Sequence, residues 1–518
     1  MRCVVALPFG AERDKENRIA QSAAAYKYCC TAVAKAFAVL YKGMTLFLGG
    51  LCLFFYTAGA VYEDYMTEQK NIAVVGGGLA GCECALTLAR AGIAVTLFEQ
   101  KPAQRSPAHT SPFLAELVCS NSLRNNDTGS GIGLLKAEMR ALGSAFMHCA
   151  DSNAVPAGKA LAVDREAFAR AVTAMIEAEP LITVVQRQIS ALEDPALAGF
   201  AKVVIAAGPL ASENLSASLA AAVGAKQLYF YDAIAPIVAA DSLDRTIIFR
   251  ASRYDCEKES AAEGEESVQG DYLNCPMNRD EYLAFYNALL AADKVTAHDF
   301  EKEVHFEGCM PIEALAERGE KTLTFGPMKP VGFIDPRTGR RPWAVVQLRQ
   351  ETANASSYNL VGCQTKLTYS AQREVFRRIP GLEKAEFVRF GSMHRNTYVN
   401  APQVLGADLH LVGHENIYLA GQITGVEGYV ESAACGLILG MMLVAQAQGT
   451  SLPTPPEECA LGALMAHLRR PVKKFQPSNA HFGLMPDLGE RAKKKDRKAL
   501  YSQRAQEAFA QWLTLLPR

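Results

Sequence analysis

The chain has almost no net charge: 53 Lys and Arg against 54 Asp and Glu leave −1 over 518 residues. No global basic field points to nucleic acid or to an anionic membrane, so any RNA contact has to come from a local patch. Metal-site spacing is missing too. Fourteen cysteines are scattered, no CxxC pair is matched by a second one or by paired histidines, and no metal is expected. Without a disulfide framework, a reduced and cytoplasmic chain is the natural reading. Cys82 and Cys84 look like small core residues. There are no long repeats or low-complexity tracts. With 49% hydrophobic and 21% charged residues, the composition is ordinary for a globular protein of about two to four domains.

What is present begins with an oddity. Residues 43–62 (GMTLFLGGLCLFFYTAGAVY) form an uncharged apolar run, about long enough to span a bilayer. With Lys35 and Lys42 ahead of it, the run reads either as a signal anchor or as part of a mis-assigned start. The second reading is preferred, because Met66 stands just ahead of the first predicted strand. Residues 1–65 are therefore treated as an extension, and a membrane is a partner only if that segment is real.

From Asn71 the pattern becomes chemical. Ile72–Val75 is a short buried strand, residues 85–91 read as helix, and residues 94–98 as a second strand ending at Glu99. Between them lie Gly76, Gly77, Gly78, Leu79, Ala80 and Gly81, a G-x-G-x-x-G turn of the dinucleotide-binding βαβ unit. Gly76 makes the tight turn, Gly78 lets backbone approach a pyrophosphate, and Gly81 lets helix pack on strand. The helix start offers unpaired N–H groups to the anion. Glu99 can accept a hydrogen bond from a ribose hydroxyl.

Later segments extend this picture. Residues 202–207 (KVVIAA) before Gly208-Pro209, and residues 416–420 (NIYLA) before Gly421, read as buried strands; residues 432–444 read as a small-residue helix. Gly421, Gln422, Ile423, Thr424 and Gly425 form a second turn between strand and helix, whose N–H groups can face a cofactor. This tips the choice between dinucleotides to FAD. Arg279–Ala291 belongs to a stretch of different texture. The expected fold is α/β: a Rossmann-like FAD-binding domain over 66–229 and 362–518, with an α+β domain inserted at 230–361. The tail over 492–512 is basic at first and then amphipathic helix.

A set of segments then resembles one family, the folate- and FAD-dependent tRNA uracil-5-methyltransferases called TrmFO. They are GGGLAG at Gly76, AELVCSNSLR at Ala115, VPAGKALAVDR at Val155, YLNCPMN at Tyr272, FEGCMPIEALAERG at Phe306 and FGPMKPVG at Phe325. GSMHRNTYVNAP at Gly391, AGQITGVEGYVESAACG at Ala420 and FQPSNAHFGL at Phe475 complete the set. The resemblance implies methylation of uracil C5 at position 54 of the tRNA T-loop. Methylenetetrahydrofolate gives the carbon, FAD the electrons, and NADH or NADPH reduces the flavin. No obligate protein partner is evident. A sister branch acts on ribosomal RNA, and wobble-uridine modifiers share the FAD fold.

Uracil C5 is too poor a nucleophile to be alkylated unaided. A thiolate adding at C6 activates it, so a nucleophilic cysteine is expected. Cys119 and Cys309 match catalytic positions of the family. The resemblance gives Cys309 the attack on the ring and Cys119 the flavin side, in handling the methylene carrier or in removing the C5 proton; their division of roles stays open. Cys275, Cys363 and Cys435 read as structural. His394, Arg395 and Asn396, placed after a likely strand, are candidates for flavin, folate or RNA. Arg124, Lys136 and Arg140 are candidates for folate glutamates, or are solvated helix faces. Lys473, Lys474 and residues 493–498 are candidates for tRNA phosphates. Competing functions are the ribosomal RNA reaction, an NAD(P)H-linked flavin oxidoreductase of a small molecule, and a flavin-loaded RNA-binding factor.

Overall fold

The computed structural model describes residues 71–518, apart from 107, 225–227, 254–269, 296–309, 474, 489–492, 494–495 and 517–518. The apolar run at 43–62 and Cys309 lie outside the described residues.

Strand β1 (Ile72–Val75) is buried on both faces, as its unbroken apolar run requires of a central parallel strand. Helix α1 (Leu79–Arg90) and strand β2 (Val95–Glu99) follow. The helix starts six residues before the expected 85, because Leu79, Ala80 and Gly81 are themselves its first turn. The sheet runs Ile182–Gln186, β2, β1, Lys202–Ile205, His414–Leu419, His410–Leu411, parallel except for the last pair. β2 and Lys202–Ile205 flank β1 on opposite sides, so a crevice opens at the carboxyl end of β1, where such folds bind ligands.

The helix Tyr429–Ala447 lies on α1 at backbone contact. A Cβ on Gly436 would sit 2.1 Å from the Ala80 carbonyl oxygen, and one on Gly440 would sit 2.8 Å from Thr87 Cβ. Among the described residues it is the one helix long and apolar enough to cross a membrane, but most of it is buried in this core.

A second hydrophobic core has its own antiparallel sheet, in the order Phe249–Ala251, Tyr272–Met277, Ala344–Gln350, Ser357–Leu360, Ile237–Ala239, Phe387–Arg389. Arg279–Ala291 packs Tyr282, Phe285 and Leu289 into it, and its start is fixed by a capping box of Asn278 and Glu281. The sheet's last strand, and the helix Tyr369–Phe376 with Val375 and Phe376 in the same core, lie beyond 361, where the sequence reading ended the insertion. No local pattern marks this: Phe387–Arg389 is three residues long and pairs through a bulge. The chain enters and leaves the second sheet along an antiparallel ribbon of Leu228–Ala233 and Met393–Tyr398. His394, Arg395 and Asn396 therefore sit within a strand, not after one.

Candidate active site

The glycine turn lines a cleft together with Glu99, Ala206, Ala207, Gly208, Gly421 and Gln422. Backbone builds this cleft. Gly76 has φ 108°, and a Cβ there would lie 2.5 Å from the Ala206 carbonyl oxygen. A Cβ on Gly81 would meet the Gly76 carbonyl oxygen at 1.9 Å, whereas one on Gly78 would meet nothing within 4 Å. The open position is the one the pyrophosphate needs, and the closed one is the helix–strand contact. No side chain caps α1, which leaves its first N–H groups for an anion. The residues fit a dinucleotide.

Glu99 lines the cleft, but its carboxylate already accepts from Gly77 N at 2.7 Å and Lys101 N at 2.8 Å. It braces the turn, with lone pairs left over for a ribose hydroxyl. Of the second turn, only Gly421 and Gln422 line the cleft. Ile423 and Thr424 are fully buried, Thr424 Oγ1 donates to the Gly421 carbonyl, and Phe475 packs against Gly425. Those three shape the turn from within the core.

A second cavity shares Val118, Pro209, Leu210, Gln422 and Tyr429 with the first. Cys119 opens onto it, partly exposed. The Tyr429 hydroxyl lies 2.9 Å from Cys119 Sγ and accepts from Cys119 N at 2.7 Å and Ser120 N at 3.3 Å. Those two N–H groups engage both lone pairs of the oxygen, so its own hydrogen is directed at sulfur. Burial, then the neighbouring sulfur, pushes the Tyr429 phenol well above its usual range. It is a proton holder, not an anion.

Positive charge surrounds the pair. Arg165, Arg349 and Arg389 all lie near enough to feel the charge of Cys119. Arg349 Nε donates to Asn121 Oδ1 at 2.8 Å and another of its nitrogens to Ser120 Oγ at 2.8 Å. Asn121, fully buried, donates in turn to the Val163 and Gln350 carbonyls. The cysteine segment is thereby tied to the second sheet. Arg165 pairs with Glu351 at 2.9 Å.

Three comparisons with known proteins bear on this arrangement. A family model described as Glucose inhibited division protein A matches residues 71–451. The methylenetetrahydrofolate–tRNA-(uracil-5-)-methyltransferase TrmFO of Nitratidesulfovibrio vulgaris (Hildenborough) is 66% identical over 451 residues, 87% of this chain and 93% of the relative. The protein of that name from Oleidesulfovibrio alaskensis is 66% identical over 452 residues, 87% of this chain and 99% of its own. The chain belongs to the glucose-inhibited division protein A family and, within it, to TrmFO. A solved structure of Aquifex aeolicus GidA shares the fold, with TM-score 0.59 at 16% identity, covering 87% of this chain and 74% of that one.

Against this TrmFO background the other predicted residues sort by burial. Arg124 lines the Cys119 cavity with φ 63° and pairs with the buried Glu431 at 3.2 Å. Lys136 is no solvated helix face: it is fully buried and donates to the Leu123 and Arg124 carbonyls at 2.9 and 3.0 Å. Burial, then Arg140 and Arg124, holds its amine down to about 7. Arg140 faces away and pairs with Asp151. Asn396 lines the cavity. Cys275, Cys363 and Cys435 are fully buried, and burial pushes their thiols up. Lys473 and Lys498 are exposed, and Lys474 lies outside the described residues.

Tyr429, Arg165, Arg349 and Arg389 were not singled out from sequence. Tyr429 had a signal, since it stands in the matching GVEGYVE segment. Arg349 had none: it is one arginine in a strand, more than 200 residues from the cysteine it serves.

Proposed function

We propose that this chain transfers a one-carbon unit from methylenetetrahydrofolate to C5 of a uracil in tRNA, the T-loop uridine at position 54. The observation that carries the reading is the wall common to the two cavities, where Tyr429 faces the glycine cleft on one side and Cys119 on the other. The TrmFO name of relatives at 66% identity supports it.

Gly76, Gly77, Gly78, Leu79 and Ala80, with Gly421 and Gln422, would hold FAD, and Glu99 its ribose. Reduced by NADH or NADPH, FAD supplies the electrons that convert a methylene into a methyl group. The chain's own residues do the rest. Cys119 works beside the cofactor, and the Tyr429 hydroxyl donates its hydrogen bond to Sγ, which favours the thiolate. Arg165, Arg349 and Arg389 supply positive charge where the pyrimidine or the folate carboxylates carry negative charge. Cys309 is proposed to add to uracil C6. We further propose the cytoplasm as the compartment of this reaction.

The test is transfer of labelled methylene from methylenetetrahydrofolate into a tRNA transcript, with S-adenosylmethionine absent. Label in the T-loop is expected, with a fall of at least about 1000-fold in Cys119→Ala and in Cys309→Ala while FAD stays bound. No label in the wild-type reaction would end this reading. Label confined to a ribosomal RNA fragment would reassign the substrate.

A further inference from the structure

An aromatic cluster on the surface is unused by the methyl-transfer centre. Tyr369 and Phe387 both stack with Phe390, with ring centroids 4.9 and 5.1 Å apart and planes 21° and 13° from parallel. The Arg373 guanidinium lies 4.6 Å from the Phe390 ring centroid. Tyr369 is 59% exposed, and neither it nor Phe390 belongs to the second core. An exposed ring that no core absorbs, as Tyr369 is, offers a flat apolar face to a partner.

The cluster is held rigidly to the wall of the Cys119 cavity. Gln372, fully buried, donates to the Leu367 and Gly391 carbonyls at 2.8 and 2.9 Å and accepts from Gly391 N at 2.7 Å. It clasps the segment leading to Tyr369 against the one following Phe390. Thr365 N donates to the Ile234 carbonyl at 3.3 Å, and Ile234 N to the Ser392 carbonyl at 2.8 Å. Ile234 and Gln364 line the cavity. From Gln364 to Tyr369 is five residues, at most about 18 Å even when fully extended.

Charge identifies the partner. Near the rings in sequence, Arg373, Arg377, Arg378 and Lys384 are exposed, against Glu374, Glu383 and Glu386. Of these cations, Arg373 lies directly against the ring cluster. Aromatic side chains beside guanidiniums are the means by which proteins hold unpaired bases, with stacking on the base and positive charge on the phosphate.

We infer that Tyr369, backed by Phe390, forms a ledge on which an unpaired base of the RNA substrate stacks, beside the target uridine, with Arg373 near its phosphate. This rests on the RNA-methylating reading above. The ledge is a specificity element: it selects a single-stranded or opened loop and places its target over the cavity.

The test uses the full chain with bound FAD, a tRNA transcript, and the variants Tyr369→Ala, Tyr369→Trp and Arg373→Ala. Kd for the transcript should rise about tenfold in Tyr369→Ala and recover in Tyr369→Trp, with flavin content and folate KM unchanged. The slope of log Kd against log salt should be unchanged in Tyr369→Ala and fall by about one in Arg373→Ala. An unchanged Kd in Tyr369→Ala overturns the ledge, as does a rise that Trp fails to restore. A raised folate KM with unchanged RNA Kd assigns the rings to the folate and also overturns it. So does a wild-type chain that binds no transcript. Binding that depends on Tyr369 without any methyl transfer would keep the ledge and sink the methyltransferase reading.

Discussion

The two cavities meet at Tyr429 yet are made by different means. The glycine cleft is backbone: a turn at φ 108°, a helix start without a side-chain cap, and a helix–strand contact that excludes even one Cβ. The Cys119 cavity is side chain: Arg124, Arg349, Gln364, Glu427, Tyr429 and Asn479 converge on it from both cores. A backbone site tolerates little change at its few key positions and much elsewhere. A side-chain site is held by several partners, so single losses are graded.

The largest effect should come from breaking the backbone site. Gly81→Ala puts a Cβ 1.9 Å from the Gly76 carbonyl oxygen. Relief of such a clash costs about 3 kcal/mol, the upper end for an added methyl in a packed contact, which is about 100-fold if taken from FAD affinity. The flavin-to-protein absorbance ratio after gel filtration should fall accordingly. Retention of full flavin would mean that the cleft does not depend on this contact, and the contrast between the sites would collapse.

A middle effect is expected in the side-chain site. Tyr429→Phe keeps the ring but leaves the N–H groups of Cys119 and Ser120 without their acceptor. Methyl transfer should drop about tenfold with flavin still bound, and urea denaturation should show a loss of about 1–2 kcal/mol. Unchanged turnover would show that the hydroxyl only positions the loop.

The smallest step, counted per pH unit, sharpens the comparison through pH. The folded chain holds Lys136 down to about 7, against 10.5 for the free side chain, chiefly by burial. Between about pH 7 and pH 10 the unfolded state therefore binds more protons, and wild-type stability rises with pH by up to about 1 kcal/mol per unit from this group. Lys136→Met removes that slope. Its stability deficit relative to wild type should be smallest near pH 7 and grow toward pH 10. A pH-independent deficit would mean that the amine titrates normally in the fold.

Legibility in the sequence follows the same division. The glycine cleft could be read because its determinants are adjacent: Ile72–Val75, the turn and Glu99 occur within 28 residues, and each is demanded by local geometry. Cys119 was legible only through a resemblance, since a lone cysteine has no spacing to betray it. Arg349 and Gln364 were not legible at all. Their roles depend on how the second sheet docks on Asn121, a tertiary fact with no local pattern. The reach of that sheet to Arg389 was missed for the same reason, since a three-residue strand has no period. His394 and Asn396, read as following a strand, lie inside one because their partner, Leu228–Ala233, is more than 160 residues away.

The close contact between α1 and Tyr429–Ala447 bears on synthesis of the chain. On the ribosome α1 emerges with the first strands, but the helix that covers it is made roughly 350 residues later. At about 5–20 residues per second the wait is tens of seconds. For that time the βαβ unit displays a surface shaped to take bare helix backbone at Gly436 and Gly440. The early product is thus a half-site with its adhesive face uncovered, and cofactor capture has to wait until the chain is nearly complete.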